Sequence, residues 1–434
     1  MSTTLQPSVT ESGSRLETQE QNKRYVHIDG IGVGIASAAG PFLPVFLTRL
    51  RATAIQVGLL TSMPGITGLF LAILVGRFLQ RQHNIIPWFS LSRLVVISAF
   101  ALTGIVPFFV PDTLLIPVVL IIWAVATLPQ TIVSVCFSVV MNAVSGPEGR
   151  FELMSRRWSI LGLTTTIAFA LADQVLERVG FHLNYQLVFI GLSLGGLISY
   201  YASSRIRIAD TSQVSQPPRI SIKTGMKEYA QLVRSSPGFI SITLKQFVYL
   251  FGITLGTPLF PLYFVRQINA SDAWIGLLYT AQTAFLVVSY LFWGRQSRRR
   301  GSRPVLLITT LAMSLYPALV ALTHNQTMVF ILSAGIGIFQ AGLDLVLFDE
   351  LMRTIPPSYS PTFVSMAQSV QYLATILAPL AGTYLSLHIG LSNALLFSAG
   401  IRLIGFLLFA WKSKPSVQQE RASTDETQSK NPTI

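Results

Sequence analysis

Long apolar runs broken by short polar stretches set the pattern of this chain. Runs of about 20 apolar residues occur twelve times, over 27–48, 56–76, 87–109, 113–141, 157–178, 182–203, 238–265, 272–293, 303–323, 326–348, 361–386 and 390–411. That length matches the hydrocarbon core of a bilayer. In lipid each run must be an α-helix, because only a helix satisfies its backbone hydrogen bonds within one segment. They are numbered here as spans 1 to 12. The longest polar connection, 204–236, splits them six and six. The expected fold is therefore all-α and membrane-embedded, with twelve transmembrane helices. A disordered polar tail over 1–26 precedes a six-helix bundle over 27–203. A linker over 204–236 leads to a second six-helix bundle over 237–411, and a second disordered tail covers 412–434.

The two bundles repeat one another. P-F-L-P-V-F-L (Pro41 to Leu47), V-G-L-L (Val57 to Leu60) and L-V-G-R (Leu74 to Arg77) recur as P-L-F-P-L-Y-F (Pro258 to Phe264), I-G-L-L (Ile275 to Leu278) and F-W-G-R (Phe292 to Arg295). Pro41 and Pro44 map to Pro258 and Pro261 at an offset of 217; Gly58 and Gly76 map to Gly276 and Gly294 at 218. One residue has entered the loop between. A repeat of this length in a hydrophobic chain is the plan of many secondary transporters.

Composition supports lipid as the solvent. Apolar residues make up 51% of the chain and charged residues 11%, against about 25% charged in soluble domains. The net charge of +13 sits in the short loops, so it does not indicate a nucleic-acid partner. Of 31 Lys and Arg, the tails and the loops after even-numbered spans hold 24, including Arg156 and Arg157. The loops after odd-numbered spans hold Arg49, Arg51, Arg178 and Arg266, and Arg93, Lys245 and Arg402 fall within spans. The positive-inside rule then places both termini in the cytoplasm. The polar first 26 residues contain no apolar core of a cleavable signal. Cys136, the single cysteine, excludes an intrachain disulfide.

The loop after span 8 reads G-R-Q-S-R-R-R-G-S-R-P (Gly294 to Pro304), and its counterpart after span 2 reads G-R-F-L-Q-R-Q-H-N (Gly76 to Asn84). Both resemble the signature loop of the major facilitator superfamily, roughly G-x-L-A-D-R-x-G-R-K. Gly294, Arg299, Gly301 and Arg303 match, and Arg298 takes the acidic position; after span 2, Gly76 and Arg81 match and Gln80 replaces the acid. The stretch from Gly146 to Ser155 is similar to the family's connection after helix 4, with an echo from Pro356 to Met366. The resemblance covers about 27–411. It implies two bundles related by a pseudo-two-fold axis normal to the membrane, rocking about a cavity lined by spans 1, 4, 7 and 10. With both signature acids absent, the gate on the basic side needs other contacts, and Asp349 and Glu350 at the end of span 10 are candidates. Span 4 lacks the Arg, and span 5 the Gly-Pro run, that proton-coupled drug exporters of the family carry, which weighs against that subfamily.

Ionised side chains within spans need a reason, since each costs about 2.5–3.5 kcal/mol at a helix centre. Asp29 reads either as a coupling carboxylate or as an interfacial charge at a helix start. Gln246 is its repeat counterpart, and Tyr249 shares the face of Gln246. Gln340 and Asp344, four apart, share one face of span 10. Gln130 follows Pro129 near the middle of span 4. These six residues form the expected substrate-binding or coupling set. Arg402 reads as a structural partner and Asp173 as a surface charge. The paired glycines Gly30, Gly32 and Gly34 of span 1, and Gly252 and Gly256 of span 7, indicate close helix packing.

The five histidines have no metal-ligand spacing and no nucleophile–base constellation appears, so no cofactor, metal or enzymatic activity is expected. The function expected is secondary transport of a small molecule by a monomer in a bacterial cytoplasmic membrane. Coupling to protons through Asp29 or Asp344 and uniport are both open. A non-transporting sensor or scaffold and a lipid flippase are the alternatives of other classes. Asp29 and Asp344 point to cationic substrates, Lys245 and Arg402 to anions, so substrate charge stays undecided.

Overall fold

The computed structural model describes residues 9–80, 82, 84–208, 234, 236–354 and 360–411. It has twelve helical stretches long and apolar enough to cross a membrane: Glu17–Arg49, Ala54–Leu71, Ile86–Phe108, Asp112–Ser145, Arg156–Arg178, Leu183–Ser204, Pro237–Arg266, Asp272–Ser297, Ser302–Leu322, Gln326–Leu351, Met366–Ile389 and Leu391–Ala410. These are spans 1 to 12 in the expected order.

Spans 1 and 7 are each built from two helices, broken at the same repeated prolines. Val9–Ser37 is followed by Phe42–Arg49, and Pro237–Gly256 by Leu259–Arg266. Pro41 and Pro258 head the second helices with φ of −62° and −74°. Proline fixes φ near this value and removes an N–H, so it ends the first helix and suits the start of the next. Each short helix then ends in a left-handed residue, Arg51 at φ 66° and Asn269 at φ 54°. Those two positions are also 218 apart, so the sequence repeat is a repeat of backbone conformation as well.

Packing follows the repeat. Span 1 lies against spans 5 and 6 as span 7 lies against spans 11 and 12; span 3 packs on spans 4 and 6 as span 9 packs on spans 10 and 12. The backbone remains helical from Asp112 to Arg178, through spans 4 and 5. A straight helix of that length would reach about 100 Å. Ring contacts exclude it: Phe100 meets Trp123 at 4.6 Å and Phe189 at 6.3 Å, Phe189 meets Phe46 at 5.6 Å, and Phe42 meets Phe169 at 5.7 Å. Spans 4 and 5 therefore lie at one level within one bundle. The bundles meet along two seams, span 2 against span 11 and span 5 against span 8.

Small residues allow these approaches, as expected. A Cβ on Gly32 would collide with the Gly195 carbonyl and Ser199 backbone of span 6, and one on Gly34 with Thr164 of span 5. Gly252 lets Arg402 lie on span 7. Arg402 is 2% exposed, and its guanidinium donates to the carbonyls of Gly252 (3.2 Å), Met313 (3.1 Å) and Ile253 (3.3 Å). Its structural pairing is thus with main-chain oxygens of spans 7 and 9.

The expected boundary at 27 is corrected. The first helix begins at Val9, so 9–26 is ordered as a polar extension of span 1. Asn22 explains the ordering: its Nδ2 donates to the Arg207 carbonyl at 2.6 Å and its Oδ1 accepts from the Arg207 amide at 2.9 Å, just beyond span 6. Residues 1–8, most of the 204–236 linker and 412–434 lie outside the described residues. Gly32→Val, which overpacks the span 1–6 contact, is expected to lower stability by about 1–3 kcal/mol; a thermal melt of the detergent-purified protein reads the loss.

Candidate functional site

The two faces of the molecule differ. The face with the loops after odd-numbered spans, called here the odd-loop face, is shut by contacts between the bundles. At the end of span 1, Arg49 donates Nη2 to the carbonyl of Ala270, and at the end of span 7, Arg266 donates Nη2 to the carbonyl of Ala52. Arg49 and Arg266 are repeat counterparts, and so are Ala52 and Ala270. Each bundle's arginine thus caps the left-handed turn of the other. One addition breaks the symmetry: Asp272, at the start of span 8, accepts from Arg49 Nε at 2.7 Å and from the Tyr185 hydroxyl at 2.8 Å. Its counterpart in span 2 is Ala54, which offers nothing. The sequence reading passed over this latch, counting Arg49 and Arg266 only as rare charges on their side. Their equal places in the repeat were the available signal.

Asp29 is not interfacial. It is 1% exposed at the centre of the first bundle. Arg93 of span 3 and Ser199 of span 6 donate to its Oδ1, the latter at 2.6 Å, and Arg157 of span 5 donates to its Oδ2 at 3.1 Å. The guanidiniums also lie over rings, Arg93 on Phe89 at 4.2 Å and Arg157 on Phe137 of span 4 at 4.8 Å. One carboxylate therefore joins spans 1, 3, 5 and 6, and both of its oxygens are occupied. This corrects the placing of Arg157 in a cytoplasmic loop: it is 4% exposed inside the bundle. Apolar periodicity cannot show such pairing, because the partners lie 64 and 128 residues away.

Gln246 and Tyr249 face the interior of the second bundle. Gln246 Nε2 donates to the Leu347 carbonyl of span 10 at 2.7 Å, and the Tyr249 hydroxyl to the Thr310 carbonyl of span 9 at 2.9 Å. Tyr249 is 0% exposed with Gly405 packed on its ring. Both act as ties between helices, away from the bundle interface. Gln130 is half-buried in span 4, and its side chain makes no hydrogen bond among the described residues.

Gln340 and Asp344 do come together. Gln340 Nε2 donates to Asp344 Oδ1 at 2.7 Å, and the Tyr290 hydroxyl of span 8 donates to Oδ2 at 2.9 Å. Asp344 is half-buried and has no ion pair among the described residues. Tyr290 was not foreseen; it meets Trp158 of span 5 edge-on at 6.4 Å. The acid is therefore one side chain removed from the opposite bundle.

On the other face, Gly301 ends span 8 at φ +82°, a left-handed value that glycine adopts without a Cβ penalty. The following Ser302 donates to Glu350 Oε1 at 2.9 Å, and Arg303 Nη2 donates to the Ala410 carbonyl at 3.4 Å. Glu350 thus braces the signature turn within its own bundle. Asp349 is half-buried beside it, Arg299 is exposed, and Gly294 lies in the helix Asp272–Arg300. Gly76 lies in the helix Ala54–Gln80, whereas Arg81 and the side chain of Arg298 fall outside what is described.

Comparison with known proteins agrees with this geometry. The family model of the Major Facilitator Superfamily matches residues 242–433. The multidrug resistance protein MdtG of Salmonella choleraesuis (strain SC-B67) is 28% identical over 160 residues, covering 36% of this chain and 39% of that protein. MdtG of Klebsiella pneumoniae (strain 342) is 28% identical over 160 residues, covering 36% and 38%. The match thus spans about two fifths of the length of these relatives. The fold likeness extends over at least 90% of the chain. A point mutant of the nucleoside transporter NupG superposes with a TM-score of 0.69 at 10% identity, covering 90% of this chain and 100% of that one. The xylose transporter XylE from E. coli gives 0.68 at 10% identity, covering 93% and 99%. With twelve spans, a tandem six-helix repeat and a degenerate signature turn at Gly301, the chain is similar to the Major Facilitator Superfamily in sequence over residues 242–433 and to these transporters in fold.

Proposed function

We propose that the chain is a secondary transporter that moves a small molecule by alternating access, with the termini and the basic loops in the cytoplasm. The observation that carries the reading is Asp344, a half-buried carboxylate beside the bundle interface whose hydrogen-bond partners, Tyr290 and Gln340, are both neutral. A charge kept in a membrane span at this cost, and left without a counter-charge, suits a group that meets a ligand. Two of the four charges that gave contrary hints are saturated: Asp29 by two guanidiniums, Arg402 by three carbonyls. Of the two that remain, Lys245 lies near Glu350 and Arg303 at the basic-loop end, which leaves Asp344 and favours a substrate with a cationic group, or a proton exchanged against it. Trp158 and Tyr290 beside it suit an aromatic cation. The relatives named for multidrug resistance fit such a ligand, although span 4 lacks the arginine of proton-coupled exporters.

The flippase alternative draws less support. A cavity of about 360 Å³ between spans 1, 5 and 6 is lined by Ile35, Leu171 and other apolar side chains together with Thr164, with no basic residue to meet a headgroup.

Everted membrane vesicles test the proposal, with ethidium as an aromatic cation beside a panel of neutral and anionic compounds. Movement of a compound that requires the wild-type chain supports transport; a well-expressed chain that moves nothing in the panel overturns it. Asp344→Asn is expected to slow cation movement about tenfold to a hundredfold in a folded protein, the factor for losing about 1.5–3 kcal/mol of charge-assisted binding. Asp29→Asn is expected to act differently. It leaves two buried guanidiniums without their counter-charge, costs about 3–5 kcal/mol of stability, and shows as lost yield and a lower melting point. At the latch, Arg49→Ala is expected to speed labelling of Ala54→Cys by a membrane-impermeant thiol reagent about tenfold, because Ala54 is 1% exposed behind the Arg49 contacts.

A further inference from the structure

The two seams between the bundles are counterparts with one difference. In the first, Gly58 of span 2 packs on Thr383 of span 11, where an added Cβ would stand 2.6 Å from Thr383 Oγ1. In the second, Gly276 of span 8 packs on Asp173 of span 5, where an added Cβ would stand 2.9 Å from Asp173 Oδ1. Gly58 and Gly276 are repeat counterparts, so Asp173 occupies the place that Thr383 occupies in the other seam. Thr383 is neutral, and its hydroxyl donates to the carbonyls of Pro379 at 2.9 Å and Leu380 at 3.1 Å. Asp173 is a half-buried acid whose Oδ1 is shut from water without a well-formed hydrogen bond, and the backbone N–H of Leu277 faces its carboxylate. This corrects its reading as a surface charge: the oxygen is shut against the Gly276–Leu277 backbone of the opposite bundle.

The charges around Asp173 do not neutralise it. On its own helix, Glu177 is a second acid one turn away, and Arg178 donates to Gln174 at 3.1 Å. From span 8 come Asp272 and Tyr279, the latter stacked on Phe169 at 5.7 Å. Arg49 of span 1 and Tyr185 of span 6 are both engaged with Asp272. Directly above lies a cavity of about 630 Å³ on the odd-loop face, lined by Arg49, Glu177, Asn184, Ser271 and Asp272 and reaching Leu176. That cavity reaches to within one helical turn of Asp173, at Leu176 and Glu177.

A carboxylate closed into a seam beside a second acid, with a backbone N–H but no cation facing it, is costlier ionised than protonated. We infer that Asp173 is a proton-binding site in the seam, occupied while the odd-loop face is shut and vacated when spans 5 and 8 part. Closing takes one proton from the water of the cavity onto the carboxylate; opening hydrates the carboxylate and returns that proton to the same side. The neutral Thr383 seam has no such dependence, so one seam senses protons and the other does not. The inference deepens the alternating-access reading and rests on it for the movement, while the site itself is defined by the seam.

The test uses the full chain in lipid nanodiscs, spin-labelled at Leu183→Cys and His324→Cys, exposed positions on the odd-loop face of the two bundles. In the wild-type background the labels are expected to stay close in acid and to gain a longer distance as the buffer becomes alkaline. Asp173→Asn, neutral throughout, is expected to keep the short distance at every pH. Persistence of the pH response in Asp173→Asn, or its absence in the wild-type background, overturns the assignment. Should Asp173→Asn not fold, the unsubstituted chain treated with a lipid-soluble carbodiimide, which reacts with protonated buried carboxyls, gives a second readout by peptide mass spectrometry. An Asp173 adduct that fades with the same midpoint as the opening supports the site; no adduct in acid overturns it. Labels that separate on adding substrate but ignore pH sink the Asp173 site alone, whereas labels that never separate sink alternating access with it.

Discussion

Two arginines that exchange places across the molecule hold one face shut. Arg49 reaches into the second bundle and Arg266 into the first, and each bonds a carbonyl that a left-handed turn has turned outward. The turn at Arg51 exists because Pro41 and Pro44 end the long helix of span 1 and start a short one; the turn at Asn269 follows from Pro258 and Pro261 in the same way. The proline repeat, the turns and the latch are thus one device made twice. Because the acceptors are main-chain oxygens, the contact depends on backbone shape more than on the side chains at Ala52 and Ala270. Charge-assisted bonds of this kind are strong where water is scarce and yield when water enters.

The symmetry that builds the closed face also marks the places where it fails. Asp272 has Ala54 as its counterpart and Asp173 stands where the other seam has Thr383; both place an acid on the span 5–8 side. The span 2–11 side remains neutral, with Ser62 donating to the Ile376 carbonyl at 3.1 Å. A duplicated scaffold needs the same packing in both halves, whereas coupling to a ligand or an ion needs a difference between them. Deviations from the repeat therefore locate chemistry that composition alone leaves scattered among many polar side chains.

Apolar run length was enough to place all twelve spans, since lipid leaves the backbone no alternative to helix. The Gln340–Asp344 pair was legible for a similar reason, as four residues along a helix share a face whatever the fold. What was not legible were contacts between distant segments. Asp29 looked like an interfacial acid because its arginines come from spans 3 and 5. Tyr249 looked available because only the packed bundle shows its hydroxyl turned to Thr310. The polar stretch before residue 27 looked like a tail because Asn22 gains order from Arg207, 185 residues on.

That Asn22 contact bears on how the bundles are joined. The primary amide imitates a peptide group, giving and accepting with Arg207 as one strand does with its neighbour. The first residues beyond span 6 are therefore clamped to the first bundle, and the covalent tether to the second begins only after Ile208. From there to Ser236 are 28 chain steps, a contour of roughly 90 Å at full extension. Over that length the covalent connection imposes no close approach of the halves, so the seams and the exchanged arginines are what hold them together.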